Sequence, residues 1–124
     1  MKSIYAAAAL AACAFAASPV FAECTAPTPP QSIPDGNTAT LQQMLAGKKA
    51  VGDFNNATNA YLDCLKNEHQ AALAAAGPKV SDDEKAKLDK TETEKHNKAV
   101  DQLQNIADRF NEQIRVYKAK NAKG

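Results

Sequence analysis

The sequence predicts an all-α protein: a long antiparallel two-helix hairpin with an extended Pro-rich strap at its N-terminal side, held by a disulfide. Three observations carry that expectation. Two capping boxes, Thr40-Leu41-Gln42-Gln43 and Ser81-Asp82-Asp83-Glu84, each open a long stretch with apolar residues at three- and four-residue spacing. Gly77-Pro78 separates the two stretches. Two cysteines, Cys24 and Cys64, remain once the N-terminal apolar segment is set aside.

That segment is residues 1–22. Lys2 supplies a short positive region, Ile4 to Ala17 is apolar without a charge, and Ser18-Pro19 precedes Val20-Phe21-Ala22. The pattern is that of a secretory signal with cleavage expected after Ala22, which places the protein in a periplasmic or secreted setting. Leu10-Ala11-Ala12-Cys13 offers a rival, lipoprotein-type cut. The run before Cys13 is short, however, and Ala14-Phe15-Ala16-Ala17 stays apolar where a polar tether should follow. No later stretch is apolar and long enough to span a bilayer. Without Lys2 the 14 remaining Lys and Arg equal the 14 Asp and Glu. A neutral chain is not a general nucleic-acid binder.

Residues 23–40 form the expected strap. Prolines 27, 29, 30 and 34 exclude a helix and favour polyproline II, and Asp35-Gly36 signals a turn. Cys24 and Cys64 have only each other as intramolecular partners in an oxidising compartment. A redox pair lacks its CxxC, and a metal site lacks further ligands at a suitable spacing. The strap from Cys24 to Thr40 spans about 50 Å as polyproline II. Cys64 lies about 35 Å into the first helix, so the strap has the reach to run back beside it.

The hairpin occupies 41–124, with helices expected at about 41–76 and 82–120. The first carries an apolar stripe through Leu41, Met44, Leu45, Val51, Leu62 and Leu65, interrupted by Lys48, Asn55 and Thr58. Gly47 and Gly52 each weaken it by about 1 kcal/mol relative to Ala, which suggests close packing there. The second helix is polar over 82–98 and apolar through Val100, Leu103, Ile106, Phe110 and Ile114. Pairing about the Gly77-Pro78 turn sets residue i against roughly 157 − i, which brings the apolar halves together. The core is thin: Leu, Ile, Val and Phe make up 16 of the 102 residues after position 22. Self-association, for example as a homodimer, or a protein partner would supply what two helices lack.

Candidate sites are few. His69 and His96 are the only histidines, spaced too far apart for one metal and without a third ligand. Asn55, Asn56, Thr58 and Asn59, with Asn97 and Gln102 opposite, read as a polar layer that fixes register. Arg109, Arg115, Tyr117 and Lys118 form a basic C-terminal surface for anionic envelope polymers or lipid head groups. The same cations also complement the helix dipole. No nucleophile–base pair, carboxylate dyad, phosphate loop or zinc spacing is present, so no catalytic residue, metal or cofactor is expected.

Tyr61-Leu62-Asp63-Cys64-Leu65, His96-Asn97 and Phe110-Asn111-Glu112-Gln113-Ile114-Arg115 resemble stretches of a group of small exported proteobacterial helical-hairpin proteins. A Cys/Pro-rich start and an Asp-Gly turn precede two helices in that group, and Cys24, Pro29, Pro34, Asp35 and Gly36 match the pattern. The resemblance implies export and the hairpin, and brings no catalytic residue. The expected function is that of a non-catalytic structural or protein-interaction protein. A periplasmic stress protein or chaperone is the alternative, and a small-ligand or metal binder the weaker one.

Overall fold

The computed structural model describes residues 23–123. The expected signal segment, its cleavage after Ala22 and the lipoprotein alternative at Cys13 lie outside the described residues. Two helices make up the fold, α1 (Leu41–Ala76) and α2 (Asp82–Asn121).

Both capping boxes close as the sequence requires. The Thr40 hydroxyl accepts from the Gln43 N–H at 3.2 Å, and Gln43 Oε1 accepts from the Thr40 N–H at 2.8 Å. Ser81 and Glu84 repeat the exchange at the start of α2. These contacts satisfy N–H groups that a helix start otherwise leaves without partners. Asp82, Asp83 and Glu84 occupy the first turn of α2, and Lys118 and Lys120 its last, each matched to the local end of the helix dipole. Helix α1 ends at Gly77, whose φ of 77° is a region that favours glycine. The Gly77 N–H donates to the Leu73 and Ala74 carbonyls, and Pro78 forbids continuation.

The helices pack against each other as a hairpin. Met44, Gly47, Phe54, Thr58 and Leu65 of α1 are buried, as are Ala99, Ile106 and Phe110 of α2. Gly47 to Phe54, Thr58 to Leu65 and Ala99 to Ile106 are each one heptad apart, the period that keeps one seam facing a neighbouring helix. Near the turn the seam gives way to charge. Lys95 Nζ lies 3.0 Å from Glu68 Oε1, and His69 Nε2 lies 3.0 Å from Asp89 Oδ1. The two helices are therefore bridged near the turn by paired side chains.

The segment ahead of α1 is tied at both of its ends. Cys24 and Cys64 form a disulfide with their Cα atoms 5.9 Å apart. The Cys24 N–H also donates to Glu68 Oε2 at 3.1 Å. Glu68 thus holds the N-terminal segment and α2 at once. Its carboxyl is held below the ordinary glutamate range, first by the Cys24 N–H and then by the Lys95 ammonium. The same bond raises Lys95 above its ordinary value.

At the other end, Asp35 turns the chain into α1. Its carbonyl accepts from Thr38 and Ala39, and its carboxylate from the Asn37 N–H at 2.8 Å. Gly36 is buried there, donating its N–H to Gln113 Oε1 at 2.8 Å. A Cβ at Gly36 would run into the Gln113 carbonyl and come within 2.7 Å of the Tyr117 nitrogen, so only glycine allows this approach to α2. Pro34 sits over Gly47 in the same manner: a Cβ at Gly47 would lie 2.6 Å from Pro34 Cγ and 2.9 Å from Phe110 Cε2. The expectation of close packing holds at Gly47. At Gly52 nothing lies within 4 Å, so its packing role is corrected: it is an open helical glycine.

Candidate functional site: an apolar groove at the open end of the hairpin

The N-terminal segment covers one face of the helix pair, and the opposite face at the same end is left open. Pro34 meets Gly47 on the covered side, where Ala46 and Ala50 also line the contact. Small side chains there let the prolyl chain approach the helix backbone. One turn around α1 the side chains are large. Leu41 is 60% exposed and Leu45 56% exposed, the two large hydrophobic residues most open to solvent among the described residues. With Val51 of α1 and Leu103, Ala107 and Ile114 of α2 they line an open groove of about 810 Å³. Met44 and Phe110, both buried in the seam, form part of its floor.

The residue pattern explains why this face is continuous. Beside the seam row, α1 carries a second row at 41, 45, 48, 52 and 55. The row alternates steps of four and three and therefore stays on one side of the helix. Helix α2 carries the matching row at 107, 111, 114 and 118. The two rows on adjacent helices form the two walls of the groove. Along the sequence Leu41 and Leu45 fall in the same stripe as Met44. The offset between the two rows was the signal that separates them.

The groove lining is mainly apolar and carries two basic side chains. Lys48 and Lys118 are its only charged lining residues, and Asn55, Gln104 and Asn111 supply the polar remainder. Tyr117 closes the end nearest the α2 terminus.

The structure divides the basic C-terminal surface expected from the sequence. Tyr117 and Lys118 line the groove. Arg115 is paired with Glu112. Arg109 lies with Ile33, Asp35 and Glu112 on the side of the N-terminal segment. Lys120 donates to the Asn37 carbonyl and so helps to hold that segment. The expected polar layer is also corrected. Asn55, Asn56 and Asn59 are exposed, and Thr58 alone enters the seam, because each step along a helix turns the side chain by about 100° and none of these three points where Thr58 does. Thr58 is fully buried, and its hydroxyl finds no hydrogen-bond partner among the described residues.

His69 takes Asp89 as partner, and Asp89 also meets Lys85 at 2.6 Å. The Asp89 carboxyl is lowered, first by Lys85 and in smaller part by His69. No group of three or more metal-ligating side chains occurs among the described residues. No helix among them is long and apolar enough to cross a membrane. Comparison with family models, curated proteins and solved structures finds no match for this chain.

Proposed function

We propose that this chain is a non-catalytic interaction protein of an exported, oxidising compartment, and that it works by docking a partner in the groove at the open end of its hairpin. The observation that carries the reading is the exposure of Leu41 and Leu45 on the wall of a mainly apolar groove. Exposed side chains of this size cluster on monomeric proteins mainly where something binds.

The N-terminal segment acts as a strap in this reading. Polyproline-like chain between Cys24 and Pro34 lies across one face of an antiparallel pair, with residue i of α1 level with roughly 157 − i of α2. Contact of Gly47 with Phe110 and pairing of His69 with Asp89 support that register. The strap makes the thin two-helix core self-sufficient on one side. It also leaves the groove face without a partner among the described residues. The disulfide needs an oxidising compartment, which agrees with export through the N-terminal segment.

Site-specific photo-crosslinking in the expressing cell tests this. A crosslinker at position 45 is expected to capture a defined adduct that one at exposed position 56 does not. Equal, diffuse labelling from both positions contradicts a docking role for the groove.

A further inference from the structure

The charges that line the groove say what kind of partner fits, and this step rests on the docking reading above. Lys48 on the α1 wall and Lys118 on the α2 wall are its two charges, and no carboxylate lines it. Neither lysine enters an ion pair among the described residues. The acids closest in sequence are engaged elsewhere, Asp53 with Lys49 and Glu112 with Arg115.

Their spacing follows from the helix rise. Gly47 and Phe110 are in contact across the seam and so mark one level. Lys48 is one residue past that level toward the turn, and Lys118 is eight residues past it toward the free ends. The two ammonium-bearing positions are therefore about 14 Å apart along the axis, on opposite walls. The groove itself spans Leu41 to Asn55, about 21 Å or two heptads.

We propose that the groove takes a single amphipathic helix of a partner protein, of about two heptads, whose apolar stripe lies between α1 and α2 and whose flanks carry acidic residues. One acid meets Lys48 and another, about nine residues away on the opposite flank, meets Lys118. The mode is a helix laid in a groove, and its apolar stripe would complete a three-helix seam. A second copy of this chain is a poorer occupant on two counts. Groove-to-groove pairing would bring four lysines and no acid to the shared surface. Its footprint, about 20 Å square, would bury on the order of 800 Å² over both partners, below what a specific stable interface usually buries.

The test uses purified oxidised protein and two synthetic amphipathic helical peptides of three heptads. They share one apolar stripe and differ only in Glu or Lys flanks. Binding is read by fluorescence anisotropy. The Glu-flanked peptide is expected to bind at least about tenfold tighter, with the advantage shrinking as salt is raised. The double charge swap Lys48→Glu with Lys118→Glu is expected to reverse the preference. Both positions are exposed, so the swap leaves the fold intact. Equal affinity for the two peptides, or no binding of either, overturns the proposal. So does a concentration-dependent dimer that Leu45→Glu abolishes, or anionic lysophospholipid micelles that bind in a Lys48- and Lys118-dependent way while the peptides do not. Crosslinks at position 45 together with peptide failure strike only the acidic-helix assignment. Absence of crosslinks strikes the docking reading beneath it.

Discussion

Two glycines five residues apart in α1 isolate the contact between the N-terminal segment and the hairpin. Gly52→Ala places a methyl group in open space. It gains helix propensity and is expected to stabilise the protein by about 1 kcal/mol. Gly47→Ala gains the same propensity but puts its methyl 2.6 Å from Pro34 Cγ, 2.9 Å from Pro34 Cδ and 2.9 Å from Phe110 Cε2. Carbon atoms pack comfortably at about 3.5–4.0 Å, so all three neighbours must retreat. Overpacking of this kind costs about 1–3 kcal/mol. The net effect of Gly47→Ala is a loss of about 1 kcal/mol, and the two variants should differ by about 2 kcal/mol. In a domain of this size that separates their Tm values by about 10 °C. Thermal unfolding followed by far-UV circular dichroism measures the gap directly. Adding Pro34→Ala removes two of the three clashing atoms and should return much of the lost stability to Gly47→Ala. If Gly47→Ala raises Tm as much as Gly52→Ala does, the segment does not lie where Pro34 places it and the reasoning fails.

Other perturbations test the remaining ties. The disulfide closes a loop with a sequence separation of 40 residues. Cys24→Ser with Cys64→Ser should therefore lower stability by about 4 kcal/mol in the chain-entropy account, and denaturant midpoints that match those of the oxidised protein would refute it. Thr58→Val keeps the shape of a fully buried side chain and removes a hydroxyl without a partner. It should stabilise the protein by about 1 kcal/mol, and a destabilised variant in chemical denaturation would mean that the hydroxyl is bonded after all. Glu68 has a folded pKa below its unfolded value, so its contribution is present above the unfolded carboxylate range and is lost as pH falls through the folded value. Stability should thus decline on acidification in the wild type and decline less in Glu68→Gln. Parallel acid profiles for the two proteins would remove Glu68 from that role.

Much of the fold was legible because local chemistry wrote it. Thr40 and Ser81 are each followed three residues later by a side chain that can return the hydrogen bond, and Gly77-Pro78 leaves a helix no way to continue. The disulfide was legible because Cys24 had a single partner beyond the N-terminal apolar segment. The groove was not legible as a groove. Leu41, Met44 and Leu45 share a helical stripe in sequence, and only the packed pair shows that Met44 enters the seam while the two leucines stay outside it. Glycine roles were hidden for a related reason. Gly47 and Gly52 look alike along the chain, and the difference between them is the position of Pro34, which is distant in sequence. The polar layer failed because Asn55, Asn56 and Asn59 flank Thr58 in sequence but turn away from the seam. Likewise, spacing along the chain does not show that Arg115 pairs with Glu112 while Tyr117 and Lys118 line the groove.

Side-chain footprinting, performed on the purified protein and again in the expressing cell envelope, addresses both faces of the hairpin at once. Ile33 and Pro34, which the fold itself half-buries, should label weakly in both settings. Leu41 and Leu45 should label strongly in the purified protein and become protected in the envelope. Equal labelling of the two leucines in both settings would contradict the claim that this groove is where the protein meets its partner.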